Sequence, residues 1–398
     1  MGLMMVFGRI LFVMVMLEMI SNGNANESKL YKVFDVTKYG AIPNSRTVNT
    51  QAFARAWSDA CKWNGKKSRV LVPAGEFMLG SITFIGPCKN PIGFILKGTL
   101  KAPSNPSVMK KDQWISFRYV TGLVVNGGGT FDGNGVSSWK SVTPNSNPLP
   151  ISIKFEFVKN AKINHITSLN SKNAHISIFG CDNLHFNKVR ITAPGDSPNT
   201  DGIKIGNSKR ISISKTAIGT GDDCIAILSG TSETNVSDVF CGPGHGISVG
   251  SLGRYKDEKD VVGLNVNNCT FKDTTNGLRI KTMASSTALS VTGFKYQKIF
   301  MNNVQNPIII DQQYCPYPPC NLQTPSHVQI NDITYKNIWG TSSTKLAVGL
   351  QCSKRFPCMN IVLNNINLVH LGPEGFARSL CSNVNGASYG RQTPASCI

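Results

Sequence analysis

The stretch "DNLHFNKVRITAPGDSPNTDGIKIG" at 182–206 contains the pattern that decides the fold. Two short strands are followed by a turn rich in Gly, Asp and Asn and then by a third short strand. Apolar and polar residues alternate over runs of about four to six, which is typical of half-buried strands. The turn places Asp201 just before the last strand of the unit.

The same unit recurs from about residue 150 onward. Similar short strands and polar turns make up 161–180, 209–230, 234–251, 262–282, 293–313 and 327–351. Short strands at an irregular period of about 21–30 residues, with no long helical pattern, indicate a solenoid. A propeller blade needs about 40 residues or more, and a β-sandwich does not explain the recurring turns. The sequence therefore predicts an all-β fold, a right-handed parallel β-helix.

One amphipathic helix is predicted near the N-terminus, in "NTQAFARAWSDACKWNG" at 49–65. Its apolar residues fall at helical spacing: Phe53, Ala56, Trp57, Ala60 and Cys61. Thr50 is suited to the N-cap and Gly65 to the end of the helix. Because the open end of a solenoid must be covered, we expect this short helix to cap the N-terminal end. No linker is evident, so residues 26–398 are predicted to form a single domain.

The first 25 residues have the features of a secretory signal peptide. Arg9 precedes the apolar stretch "ILFVMVMLEMI" at 10–20, and "GNA" at 23–25 fits a cleavage site. The alternative is a membrane anchor, but this stretch is too short to span a bilayer and Glu18 interrupts it. We therefore expect a secreted, extracellular protein without a membrane segment after cleavage.

The cysteines of a secreted chain are expected to form disulfides rather than metal sites. There are 12 cysteines, and none lies in the predicted signal peptide. Short spacings and the expected coil positions suggest the pairs Cys61–Cys88, Cys224–Cys241, Cys315–Cys320, Cys352–Cys358 and Cys381–Cys397, but the sequence alone leaves the connectivity open. Sequons for N-glycosylation occur at Asn26, Asn235 and Asn268.

The formal net charge is +19, which predicts an acidic partner. The basic residues are scattered, without a Lys/Arg-rich tract or a nucleic-acid motif, so no nucleic-acid partner is expected. An acidic polysaccharide outside the cell fits the charge and the predicted compartment. A simpler alternative is that the charge only tethers the protein to a wall or matrix.

Several titratable residues are separated by about one repeat. Asp201 and Asp222 are 21 residues apart, and Asp222 and His245 are 23 apart. Neighbouring coils of a stacked sheet lie about 4.8 Å apart, so Asp201, the pair Asp222 and Asp223, and His245 should converge on one face. Each turn alone is ordinary turn chemistry. Their recurrence at coil spacing predicts a shared active site.

The next coil adds two cations, Arg279 and Lys281, whose spacing of two points both side chains the same way on a strand. Three carboxylates this close cannot all ionise easily, so one should stay protonated at mildly acidic pH. Glycosidic cleavage uses such an acid beside an ionised carboxylate. Arg279 can bind a carboxylate with two hydrogen bonds, and Lys281 adds a point charge. A sugar that carries a carboxylate is therefore the predicted substrate.

At these residues the chain resembles the polygalacturonases of glycoside hydrolase family 28. The four family motifs are present in order: "NTD" at 199–201, "GDD" at 221–223, "GHG" at 244–246 and "RIK" at 279–281. The resemblance extends from "FDVTKYGA" at 34–41 to the C-terminal cysteines. It implies a parallel β-helix and inverting hydrolysis of α-1,4-linked galacturonan in the plant cell wall.

The resemblance also implies roles for the individual residues. Asp222 would be the general acid, while Asp201 and Asp223 would hold and activate water. His245 would tune the protonation of the acid. The implied substrate-binding residues are Arg279, Lys281 and Tyr314, although Tyr314 is equally explained as an aromatic packed beside a disulfide. No metal or organic cofactor is expected, and a monomer is predicted.

Within the family, "CGPGHGISVGSLG" at 241–253 and "NPIIIDQQYCPYPPC" at 306–320 resemble pollen-type exopolygalacturonases of plants. An exo enzyme needs one closed end of its cleft, and the sequence does not locate that closure. Lys204, where plant relatives often carry His, is close to Asp201 and is a candidate modulator of the Asp201 pKa.

Several alternatives remain open at this point. They are an endo-polygalacturonase, a rhamnogalacturonan or xylogalacturonan hydrolase, a Ca²⁺-dependent pectate lyase, and a non-catalytic pectin-binding protein. The stereochemistry is also open: the resemblance implies inversion, whereas carboxyls about 5 Å apart usually indicate retention.

Overall fold

The structure is a computed structural model that describes residues 31–109, 112–140, 142–143, 148–316, 318–320 and 323–398. The predicted signal peptide at 1–25 and the sequon at Asn26 lie outside these residues. Within them the chain is a parallel β-helix, so the predicted fold class is confirmed. No helix in the described ranges is long and apolar enough to cross a membrane.

Short strands follow one another along the whole described chain. The first sixteen are β1 (Lys32–Asp35), β2 (Asn44–Val48), β3 (Ser68–Val72), β4 (Glu76–Met78), β5 (Ile82–Ile85), β6 (Ile92–Leu96), β7 (Thr99–Lys101), β8 (Gln113–Arg118), β9 (Leu123–Asn126), β10 (Thr130–Asp132), β11 (Ile151–Glu156), β12 (Lys159–Asn164), β13 (Thr167–Leu169), β14 (Ile176–Phe179), β15 (Asp182–Asn187) and β16 (Arg190–Thr192). The others are β17 (Ile203–Gly206), β18 (Lys209–Ser214), β19 (Ala217–Gly219), β20 (Ile225–Ile227), β21 (Ser232–Ser237), β22 (Phe240–Cys241), β23 (Ile247–Leu252), β24 (Val261–Lys272), β25 (Asn276–Thr282), β26 (Leu289–Val304), β27 (Asn306–Asp311), β28 (Val328–Ser342), β29 (Leu346–Gln351), β30 (Cys358–His370), β31 (Arg378–Ser382) and β32 (Val384–Thr393).

These strands form two parallel sheets. We call the smaller one, with 11 strands, the front sheet; it consists of β5, β8, β11, β14, β17, β20, β23, β25, β27, β29 and β31. The other 21 strands form the larger sheet, in which two ladders merge where the 12-residue β24 pairs with both β21 and β22. Each coil contributes one strand to the front sheet, so residues one repeat apart become neighbours.

The register of the front sheet sorts side chains between the core and the outer face. Ile203, Ile225 and Ile247 lie in register in β17, β20 and β23, and all are fully buried. A second set of positions in register lies on the opposite face of the front sheet, where Lys204 and Arg279 are half-buried and Ala226 and Ser248 are covered by neighbouring side chains. The alternation that predicted half-buried strands therefore also places this polar row beside the predicted active-site turns.

The N-terminal end is covered by helix α1 (Thr50–Lys62), as predicted. Its residues Phe53, Ala56, Trp57 and Ala60 are buried, and the Trp57 ring packs 5.0 Å from that of Phe84 in β5. The predicted ends of the helix need correction. Asn49 rather than Thr50 occupies the N-cap position, and Trp63 rather than Gly65 the C-cap.

Thr50 is the first helical residue, and its hydroxyl binds outside the helix. It accepts a hydrogen bond from the backbone N–H of Gly80 at 2.9 Å, which joins the helix to the coil below. The described residues also include a second, short helix α2 (Val136–Trp139) and two 3₁₀ turns, Val36–Tyr39 and Pro106–Val108.

All five predicted disulfides are present: Cys61–Cys88, Cys224–Cys241, Cys315–Cys320, Cys352–Cys358 and Cys381–Cys397. Cys181 and Cys269 remain as buried thiols. Asn235 and Asn268 are exposed, so both sequons are accessible. Asn268 donates to Asp238 at 2.6 Å across neighbouring coils, an example of the polar stacking between turns.

Candidate active site

The turns before three successive strands of the front sheet carry the predicted acidic residues and the histidine. Asp201 precedes β17, Asp222 and Asp223 precede β20, and His245 precedes β23. Backbone hydrogen bonds join the turns: Gly202 N–H donates to Asp223 O at 2.9 Å and His245 N–H to Asp222 O at 2.8 Å. The coil spacing read from the sequence therefore brings these residues together.

Glycines allow the turns to approach this closely. A Cβ on Gly221 would lie 2.0 Å from the carbonyl oxygen of Ser197 on the preceding turn. Gly246 has a φ of +81°, and a Cβ there would lie 2.1 Å from Asn276 O. Because backbone occupies the space of a side chain, these positions of the "GDD" and "GHG" motifs require glycine.

Asp223 is the most tightly held of the three carboxylates. It is buried, and its Oδ1 accepts from Ser248 Oγ at 2.7 Å and from the Arg279 guanidinium at 2.8 Å. Its Oδ2 accepts from Lys281 Nζ at 3.0 Å. These charge-assisted contacts anchor Asp223 between two cations.

Asp222 is paired with His245 and is more accessible than Asp223. Asp222 Oδ1 lies 3.1 Å from His245 Nδ1 and accepts the N–H of Asp223 at 2.7 Å. Burial acts to raise the pKa of Asp222, but the His245 hydrogen bond and charge outweigh it, and the pKa falls to about 2. The same hydrogen bond raises the pKa of His245 in spite of its partial burial.

Asp201 is the carboxyl that keeps its proton. Burial raises its pKa to about 7, opposed by Lys204 and assisted by the charges of Asp222 and Asp223. Lys204 Nζ lies 3.2 Å from Asp201 Oδ1, the contact that the sequence suggested. The expectation that one of the three carboxyls stays protonated at mildly acidic pH thus points to Asp201, and not to Asp222, the residue to which the resemblance assigns the acid role.

Tyr314 lies beside the cations. Its ring centroid is 5.3 Å from Lys281 Nζ, and its N–H donates to Thr282 O at 3.1 Å. Lys281 is 7% exposed, so the aromatic ring helps to cover and orient it. The structure thus brings all seven predicted site residues together on the outer face of the front sheet.

Sequence reasoning missed two residues of this cluster. Ser248 donates to Asp223 and accepts from Arg279 Nε at 2.9 Å, so it links the carboxylate to the guanidinium. Asp311 ends β27 in register with Lys281, and burial raises its pKa. The sequence offered one signal for Ser248, namely its outer-face position three residues after His245.

Three atoms of the site could approach a cation, since ligand atoms of Asp222, Asp223 and His245 lie within 4.8 Å of one another. However, both oxygens of Asp223 already accept hydrogen bonds from Ser248, Arg279 and Lys281. Arg279 and Lys281 supply the positive charge that a metal would bring, and an added cation would be repelled by them.

Comparison with known proteins assigns the chain to a family. The profile described as glycosyl hydrolases family 28 matches residues 61–397. The chain is 46% identical over 368 residues to an exopolygalacturonase of Platanus acerifolia, covering 91% of this chain and 97% of that protein. It is also 46% identical over 354 residues to an exopolygalacturonase of Oenothera organensis, covering 88% and 98% of the two chains.

Among solved structures, the endo-xylogalacturonan hydrolase of Aspergillus tubingensis has a similar fold, with a TM-score of 0.79 at 24% identity over 91% of this chain and all of that one. The family match covers most of the sequence, including every turn that builds the carboxylate cluster. The chain therefore belongs to glycosyl hydrolase family 28.

Proposed function

We propose that this protein is a pectin-degrading hydrolase of the extracellular space and cell wall that releases galacturonic acid from the end of homogalacturonan. The observation that carries the proposal is the arrangement of three carboxyls with different hydrogen-bond partners next to two fixed cations. Asp201 has a raised pKa, Asp222 is paired with His245, and Asp223 is held by Arg279 and Lys281.

The proton for the leaving oxygen is supplied by the pair of Asp222 and His245. The raised pKa of His245 keeps the imidazolium protonated at mildly acidic pH, with Nδ1 3.1 Å from Asp222 Oδ1. A proton passed along this hydrogen bond makes Asp222 the acid that protonates the glycosidic oxygen. The side chains of Asp222 and His245 are 24% and 39% exposed, so substrate can reach them.

The water is activated by Asp201. Only the ionised form of Asp201 can accept a proton from the water, and because its pKa is about 7, that form is a minority at mildly acidic pH and grows as the pH rises. The anchored Asp223 holds the water from the neighbouring coil. The water then attacks the sugar carbon as the glycosidic bond breaks, which gives inversion at that carbon.

The cations select a substrate with carboxylates. Arg279 and Lys281 each bind Asp223 and have further N–H donors besides the one used in that contact. A guanidinium and an ammonium together bind a uronate more strongly than a neutral sugar. This supports galacturonan as the substrate class.

Exo action requires that the cleft be closed at one end, and residues 133–140 occupy a suitable place. We call them the 133–140 segment. It lies in the connection from β10 to β11. In the front sheet, β11 is two coils before β17, the strand that follows Asp201. Trp139 Nε1 donates to Ser171 O at 3.0 Å, and the buried Lys172 Nζ donates to Gly133 O at 2.6 Å.

The 133–140 segment thus covers the turn next to the one that bears Asp201. We infer that the chain terminus of the substrate stops there and that the rest of the polymer extends over the later coils. The exopolygalacturonases of Platanus acerifolia and Oenothera organensis, which resemble this chain, support the same mode of action.

The experiment is to follow viscosity and reducing ends together during digestion of polygalacturonic acid. Free galacturonic acid with little loss of viscosity is expected. A rapid loss of viscosity with mixed oligomers would instead establish an endo enzyme. The anomer of the first product, read by NMR, tests inversion.

A further inference from the structure

A cavity of about 540 Å³ lies beyond Tyr314, on the side of the site away from the 133–140 segment. It is framed by the connections that follow β25, β27 and β29. Its polar and charged lining includes Gln312, Gln313, Ser326, Ser353, Lys354 and Arg355. The mechanism described above uses none of these residues.

The cavity lies on the coils that follow the strand of Lys281 in the front sheet. Lys281, Asp311 and Gln351 lie in register on β25, β27 and β29. Gln312 N–H donates to Gln351 O at 3.0 Å. Neighbouring strands are about 4.8 Å apart, so the cavity begins roughly 5 to 10 Å beyond Lys281 along the direction in which the polymer extends.

Two cations face this space without a carboxylate partner. Lys354 and Arg355 are both exposed. The ion pairs formed by the described residues do not include either of them. Their charge is therefore available to an anion that enters the cavity.

The loop that carries these cations is held in place by buried contacts. The disulfide Cys352–Cys358 closes the loop. Gln312 is 1% exposed, and its Oε1 accepts from the Ser353 N–H at 3.0 Å while its Nε2 donates to Val328 O at 2.8 Å. A loop fixed in this way loses little conformational entropy when a ligand binds, which distinguishes it from a mobile surface cation.

We propose that this cavity is a uronate subsite, in which Lys354 and Arg355 bind a carboxylate of the polymer that remains after cleavage. The proposal rests on the proposed function, because it takes the substrate to be a galacturonan. Arg355 can bind a carboxylate with two hydrogen bonds, and Lys354 adds a further charge. The subsite favours longer and unesterified chains over short ones.

The test is the double variant Lys354→Ala/Arg355→Ala, assayed on galacturonate oligomers from the dimer to the hexamer. Loss of a charge-assisted contact should raise KM for the hexamer about tenfold, with kcat unchanged. The kinetic constants for the dimer should stay as they are, since a dimer does not reach the cavity.

The matched control is Lys298→Ala/Lys336→Ala, which removes the same charge from exposed positions on β26 and β28 of the larger sheet. It should leave the dependence on chain length intact. An equal change for dimer and hexamer in the first variant, or an unchanged hexamer KM, would overturn the proposal.

A binding measurement separates this proposal from the proposed function. If the wild-type protein hydrolyses no galacturonan, the proposed function fails. Calorimetric titration with the hexamer then still tests the cavity, because the double variant should bind it about tenfold more weakly than the wild type. Equal binding by both proteins would exclude the subsite.

Discussion

Asp201 and Asp222 are both aspartates on neighbouring coils, yet their pKa values are shifted in opposite directions. Asp201 is buried against Lys204 and has a pKa of about 7. Asp222 shares its Oδ1 with His245 and has a pKa of about 2. Their surroundings therefore give the two carboxyls different protonation states, and the low pKa of Asp222 means that a proton it delivers must come from His245.

Removing the carboxylate of Asp222 should stop proton delivery to the leaving oxygen. We expect Asp222→Asn to lower kcat/KM on galacturonan by about 10²–10⁴-fold, with the folded state retained. The control is Asp196→Asn, which alters an exposed carboxylate in the turn before Asp201. Galacturonic acid release and thermal unfolding are measured for both. Unchanged release by Asp222→Asn would show that the acid lies elsewhere.

Lys204 should set the acidic limb of the pH profile. Its charge lowers the pKa of Asp201, so Lys204→Met should raise that pKa further. Because the base must be ionised, kcat/KM rises with pH through the Asp201 pKa, and this limb should move to higher pH in the variant.

The control for this shift is Lys209→Met, at a half-exposed ion pair with Asp182 outside the site. At alkaline pH, kcat/KM should fall as His245 loses its proton. This limb of the profile should stay in place in both Lys204→Met and Lys209→Met. A Lys204→Met profile that coincides with that of the wild type would contradict the assignment of Asp201 as the base.

At the scale of elements, the turns are held by disulfides as well as by the sheet. Cys224 follows Asp223 directly, and Cys241 ends β22 just before the turn of His245. The disulfide between them therefore joins the two turns that carry the proton donor pair. Its contribution to positioning can be separated from its contribution to stability.

We expect Cys224→Ala/Cys241→Ala to lower the free energy of unfolding by about 2–4 kcal/mol and also to lower kcat. The pair Cys381–Cys397 offers a control, because the sequence separations are 17 and 16 residues and the entropic effect is similar. Cys381→Ala/Cys397→Ala should lose stability but keep kcat. Chemical denaturation and initial rates measure both, and equal kcat values would rule out a positioning role.

At the scale of the whole molecule, the net charge of +19 acts over distances larger than the site. Raising the ionic strength from about 10 mM to 1 M shortens the Debye length from about 30 to 3 Å. We expect KM for polygalacturonate to rise strongly over this range, and KM for the dimer to rise less. The value of kcat should change little, since Asp223 and Lys281 are buried and poorly screened. A dimer and a polymer with the same salt dependence would contradict long-range attraction.

The sequence determined the class of fold because alternation and turn chemistry are local properties. Each strand of the unit at 182–206 can be read from nearby residues. The spacing of Asp201, Asp222 and His245 by about one coil also sufficed to place them together. The helix boundaries were less certain, since the hydroxyl of Thr50 binds Gly80, which is distant in sequence.

Only the tertiary structure decided how the carboxyls differ and where the polymer can extend. The pKa of Asp201 depends on burial, and that of Asp222 on a contact with His245 in another coil. Ser248, the 133–140 segment and the cavity at Lys354 acquire their places from packing between coils. Desolvation and contacts between distant residues depend on the assembled surroundings, and a linear pattern does not contain them.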